Sequence, residues 1–136
     1  MKIDQEYLKG LLEAFEAAES PTTNILELKE KGFDYGKNEF IFHLQVLSDQ
    51  NFIEVENGSG LGFHKGADGN VSWSVAPLRL TAQGHDFISA LRNKEVWNTL
   101  KSEFKDASIG TLWGVSKQLL EGYTKKKVMA LIGAEE

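Results

Sequence analysis

The stretch 79–104, RLTAQGHDFISALRNKEVWNTLKSEF, constrains this chain most, because a strand-like segment in it runs straight into a helix start. Leu80 closes the strand. Thr81 follows as an N-cap, its side-chain oxygen placed to accept a backbone N–H from the new first turn. Phe87, Ile88 and Leu91 then recur at helical spacing, and Val96, Trp97, Leu100 and Phe104 resume after Asn93-Lys94. Trp97 is expected in the core on this pattern. Upstream, Asn57-Gly58 and Ala67-Asp68-Gly69-Asn70 are turn signals. Residues 52–56, 61–64 and 71–75 have strand character, which predicts a two- or three-stranded sheet with its wing around 57–70. A glycine-rich hairpin, a strand and a capped helix in that order are the pattern of a winged helix-turn-helix domain. The expected fold class is therefore α+β: a winged helix-turn-helix-like core with a small antiparallel sheet and additional C-terminal helices.

The remaining segments fit around that pattern. Residues 4–19 predict a first helix capped by Asp4, with Tyr7, Leu8, Leu11, Leu12 and Phe15 as its apolar stripe. Gly10 within it suits a place where another helix crosses closely, and Ser20-Pro21 ends it. Residues 24–30 alternate imperfectly and favour a short strand over a short helix. Asn38 is a plausible N-cap for a helix over 39–50. Phe40, Ile41, Leu44, Leu47 and Ser48 share one face of it, with Asn38, Phe42, Gln45, Val46 and Asp49 opposite. The last helix is expected over 108–132, capped by Ser108 or Asp106. Ile109, Leu112, Trp113, Leu119, Leu120, Tyr123, Leu131 and Ile132 return along it at helical intervals, with Val128 beside them. Gly110, Gly114 and Gly122 lower its intrinsic stability, so a surface or partner helix must compensate. The division expected is a winged-helix-like unit over 1–105 and a helical extension over 106–136, packed on the same domain or on a partner subunit.

Charge is uneven. The chain of 136 residues has a net charge of -5, yet residues 1–68 hold six Lys/Arg against thirteen Asp/Glu, and residues 69–136 hold nine against seven. A generally acidic chain gains no long-range attraction to nucleic acid, so any such binding must come from a local patch. No apolar run is long enough to span a bilayer, so no membrane partner is expected. The N-terminus lacks the pattern of a secretion signal, which makes a cytoplasmic home the default expectation.

The strings HLQVLSDQNFIEV at 43–55 and LTAQGHDFISALRNKEVWNTLKSEF at 80–104 resemble a bacterial and phage-associated family, number 2513 among the conserved domains of unknown function. That family typically shows a helix with His-Leu and Leu residues, then Gly-Leu-Ile before a strand. Later it shows Leu-Thr-x-x-Gly-His followed by an aromatic and a Trp. His43, Leu44, Leu47, Leu80, Thr81, Gly84, His85, Phe87 and Trp97 match the pattern. Asn51 departs from it, since a glycine is usual there. Asn also adopts a left-handed backbone, so the turn is expected to survive. The resemblance implies a winged-helix-like fold and transfers no activity.

Catalytic signatures are thin. His43, His64 and His85 lack HxH or HExxH spacing, so a metal site would have to assemble across the fold from His43, His85 and Asp86. The simpler expectation is that His43 and His85 hydrogen-bond to backbone or to each other, with a His85 nitrogen fastening its helix to the sheet. GxSxG is absent, and Gly58-Ser59-Gly60-Leu61-Gly62 lacks the Lys-Ser/Thr of a phosphate loop. Glu54 and Glu56 share a strand face and read as solvent-facing charges. The expectation is no enzyme, no cofactor and no small-molecule substrate. Two function classes remain. A protein-interaction or assembly module, such as a homodimer, would use Phe42, Val46, Trp113 and Tyr123. A double-stranded-DNA-binding regulator of phage or prophage type would use Lys37, Asn38, Gln45 and Lys65, with Lys29 and Lys31 behind them. Asn and Gln can read adenine and lysines position on phosphate. Against it, the 39–50 helix holds no Lys or Arg, and Asp49 would repel phosphate.

Overall fold

The computed structural model of the chain describes residues 1–56, 58 and 60–133. Among these the order is α1 (Gln5–Glu16), α2 (Ile25–Glu30), α3 (Asn38–Asp49), β1 (Ile53–Val55), β2 (Phe63–Lys65), β3 (Val71–Trp73), β4 (Leu78–Leu80), α4 (Ala82–Arg92), α5 (Lys94–Glu103) and α6 (Ile109–Ile132). The fold is α+β.

Thr81 caps α4 as its position predicts, accepting the Gly84 N–H at 3.1 Å. Asp4 caps α1 through the Tyr7 N–H, and Ser108 caps α6 through the Thr111 N–H. Two starts differ from expectation. Residues 24–30 are helix rather than strand. The Asn24 side chain accepts the N–H groups of Leu26 and Glu27 at 2.9 and 3.0 Å, and Ile25 and Leu28 bury one face. A strong cap outweighs an imperfect alternation. At α3, Lys37 holds the N-cap position with no side-chain cap, and Asn38 lies inside the first turn.

β4 is flanked on both sides. β1 pairs with it antiparallel, Ile53 opposite Leu80 and Glu54 opposite Arg79. From the other side Thr23 exchanges two backbone bonds with Leu78, at 2.7 and 2.8 Å. β2 and β3 form a hairpin of their own. The expected single sheet is thus divided. One ladder ends where the Glu56 N–H donates to Pro77 C=O at 3.0 Å, and the other begins where the Ser74 N–H donates to Gly62 C=O at 2.7 Å. Gly62 turns the chain between them with φ +87, and a Cβ there would lie 2.4 Å from the Ser74 oxygen. Asn57 and Ser59 of the expected wing turn lie outside the described residues. The hairpin closes at 66–70, where the Gly66 N–H reaches Asn70 C=O and Asp68 accepts the Asn70 N–H. Glu54 does face solvent, and it pairs across the strands with Arg79, whose Nε donates to it at 2.8 Å.

The tightest seam joins α3, β1 and α4. Asn51 leaves α3 with φ 60, the left-handed backbone expected of it. Its N–H donates to Ser48 C=O at 3.0 Å and the Phe52 N–H to Leu47 C=O at 2.9 Å, closing both bonds of a Schellman ending. Phe52 is thereby turned inward, where it stacks on Phe87 at 4.6 Å. The Phe52 carbonyl accepts the Thr81 N–H, and the Thr81 hydroxyl donates to Asn51 C=O. α4 lies so close that a Cβ on Gly84 would meet the Phe52 oxygen at 2.1 Å. Only glycine fits there.

Around this seam Leu8, Leu11, Leu12, Phe40, Leu44, Leu47, Ile88 and Leu100 complete one core. Gly10 faces the Phe33 ring, 3.1 Å from where a Cβ would be, so a side chain and not another helix approaches it. Trp97 is half-buried rather than central; Lys9 and Lys101 stand 4.4 and 5.5 Å from its ring. α6 joins the core by its first turns. Leu112 and Ser116 are buried, and Trp113 meets Phe52 and Phe87 edge-on at 5.6 and 5.4 Å. Beyond Tyr123, every residue from Thr124 to Ile132 is exposed.

Candidate functional site

Two surfaces gather the residues singled out by sequence. The first is the start of α3 with the hairpin. Trp73 braces it: its indole N–H donates to Tyr35 C=O at 3.1 Å, and its ring meets Phe63, Phe40 and Tyr35 at 5.1, 5.9 and 6.2 Å. Lys37 and Asn38 are exposed at the start of α3, and Lys65 is exposed on β2. Gln45 is exposed two turns further along α3, with Asp49 beyond it. Lys29 lies 5.3 Å from the Tyr35 ring, whereas Lys31 is turned away and donates to Ala14 C=O. Phe42 and Val46 are half-buried, and Phe42 sits edge-on to His43 at 5.1 Å.

His43 is buried within this helix. Its Nε2 accepts the Asp4 N–H at 3.0 Å and its Nδ1 lies 2.7 Å from Glu39 C=O. An acceptor at Nε2 and a donor at Nδ1 define the neutral Nδ1–H tautomer, and both nitrogens are then engaged with backbone. The residue ties α3 to the cap of α1. His85 does not play its expected part: it is exposed on α4 and its ring has no hydrogen bond among the described residues. Tyr7 packs on His43 and Phe33 at 4.7 and 5.2 Å. Burial first, then the carboxylates of Glu39 and Asp34, pushes its hydroxyl up to about 12. Negative charge from Glu39 and Asp34 therefore stands close to Tyr7 and the start of α3.

The second surface is the groove between α4 and α6, of about 450 Å³. Asp86, Ser89 and Ala90 form one wall; Trp113, Leu120 and Thr124 form part of the other. Trp113 is half-buried at its floor with Lys117 5.2 Å above the ring. Tyr123 lies on a neighbouring face of α6, half-buried. Partial burial first, then the hydrogen bond and charge of Glu95, raises its hydroxyl above the usual tyrosine value. Past the groove α6 exposes Val128, Met129, Leu131 and Ile132.

A family model described as "Hypothetical protein (DUF2513)" matches residues 2–110. The chain belongs to the DUF2513 family. An uncharacterised protein of Haemophilus influenzae is 26% identical over 121 residues, covering 89% of this chain and 93% of the relative. No solved structure matches. The DUF2513 match takes in α1 through α5 and the seam at Asn51 and Gly84, and it stops at the start of α6. No helix among the described residues is long and apolar enough to cross a membrane.

Sequence reasoning missed two features of this DUF2513 chain. Trp73 as the brace of the hairpin could have been suspected from a lone Trp amid Ser and Val in a strand. The exposed end of α6 could not, because Leu131 and Ile132 continue the run of apolar residues that begins with Ile109, Leu112 and Trp113.

Proposed function

We propose that this DUF2513 chain is a non-enzymatic cytoplasmic assembly module, built on a winged-helix-like scaffold, that docks another protein chain through the far end of α6. The scaffold reading is supported by the order of elements: α1, the Thr23 bridge, α2, α3, β1, the hairpin, β4. The observation that carries the docking reading is exposure. Val128 and Met129 are 49% and 45% exposed, and Leu131 and Ile132 are 76% and 71% exposed, at the end of a 24-residue helix. A helix end of that length without tertiary contacts is marginal in water. Apolar residues grouped on it favour a partner over solvent. Photo-crosslinking in cells from a benzoyl-phenylalanine at position 131 tests this. A discrete protein adduct is expected. Recovery of the chain only in uncrosslinked form overturns the reading.

The DNA-binding regulator is the second reading, and the Trp73 brace is the observation in its favour. It holds the hairpin that carries Lys65 against the helix start that carries Lys37 and Asn38. Asp34, Glu39 and Asp49 oppose it. Filter retention of random duplex DNA at low and high salt decides: steeply salt-dependent retention supports it, and none at low salt removes it.

A further inference from the structure

We infer that the chain docked on α6 is a second copy of this one, its α6 laid antiparallel into the groove between α4 and α6. The inference rests on the assembly reading and names its partner. Trp113, Lys117, Leu120, Thr124, Val128 and Leu131 recur along α6 at intervals of three and four residues. At about 100° per residue they fall within a stripe about 80° wide that runs roughly 27 Å along the helix. The first four line the groove, and the last two project beyond it as exposed apolar side chains. One helix thus presents both a hollow and what fills it.

The pattern is self-complementary about a two-fold axis at Thr124. Leu120 of one copy then faces Val128 of the other, and the alkyl stem of Lys117 covers Leu131. Glu121 and Lys125 flank the stripe on the same side, so an antiparallel pair brings the Glu121 of each copy beside the Lys125 of the other. Asp86 on the groove wall adds a carboxylate where the cationic run Lys125-Lys126-Lys127 enters. A lipid surface fits less well, because those three lysines point to three different sides of the helix at that same angular step.

Sedimentation equilibrium of the full chain, with Glu121→Lys and Lys125→Glu, tests the inference. Both residues are exposed, so both variants are expected to fold with unchanged circular dichroism. The wild type is expected to reach twice 15.2 kDa as concentration rises. Each variant alone places like charges at both crossings and is expected to dimerise about tenfold more weakly. An equal mixture of the two variants is expected to regain wild-type affinity, as mixed dimers. Glu121 and Lys125 are also spaced to pair within one helix, but an intrahelical pair gives no recovery on mixing. A wild type that stays monomeric at about 100 μM overturns the inference. So does a mixture no tighter than its components, or a monomer that co-sediments with anionic vesicles. A discrete adduct from position 131 of a mass other than a dimer's would remove this inference and leave the assembly reading standing.

Discussion

At the end of α3, Asn51 takes a left-handed backbone with φ 60; at the end of α6, Gly133 does the same with φ 68. Both endings return N–H groups to carbonyls of the last turn. Their surroundings are opposite. After Asn51 the chain enters the core, with Phe52 fully buried on Phe87 and α4 pressed to backbone contact at Gly84. Before Gly133 nine consecutive residues face solvent. Local capping chemistry ends a helix in the same way whether or not the helix is docked. Only the packing of its last turns says which, and the last turns of α6 carry Val128, Met129, Leu131 and Ile132 exposed.

Substitutions at the two ends separate these cases, and the largest effect belongs to the seam. Phe87→Ala removes the ring that Phe52 and Trp113 share and is expected to lower stability by about 3–5 kcal/mol in urea denaturation. Gly84→Ala drives a methyl into the Phe52 carbonyl and is expected to lose about 3 kcal/mol, because backbone on both sides must shift. Asn51→Ala is expected to lose about 1–2 kcal/mol for its left-handed backbone, while Asn51→Gly loses none. In α6 the sign reverses: nothing lies within 4 Å of a Cβ at Gly122, so Gly122→Ala is expected to gain about 0.5–1 kcal/mol. Leu131→Ser with Ile132→Ser is expected to stay within about 0.5 kcal/mol of wild type in dilute solution. A large loss there would erase the contrast between the two ends.

Much of the scaffold was legible because its signals are local. Asp4, Thr81 and Ser108 each stand one residue before a helix they cap, and the family's usual glycine marked position 51 as a left-handed turn. At α2 the imperfect alternation over 24–30 points to a strand, whereas the side-chain cap at Asn24 starts a helix. The division of the sheet depended on the backbone at Gly62, and the brace on a bond from Trp73 to a carbonyl 38 residues away. Neither leaves a periodic trace. The two faces of α3 were only partly legible: the buried face was right at Phe40, Leu44 and Leu47, but His43 joins it through hydrogen bonds that apolar periodicity cannot register. The candidate site on α6 was half legible. Trp113, Leu120, Val128 and Leu131 are plain in the sequence as apolar positions of one helix, whereas the point at which α6 leaves the core depends on where α4 and α5 stop covering it.

Amide hydrogen exchange along α6, followed from dilute to concentrated protein, tests that division most directly. Residues 109–123 are expected to show core-level protection at every concentration, and residues 124–132 to gain protection only as concentration rises. Equal, concentration-independent protection of both halves in the monomer would contradict the account.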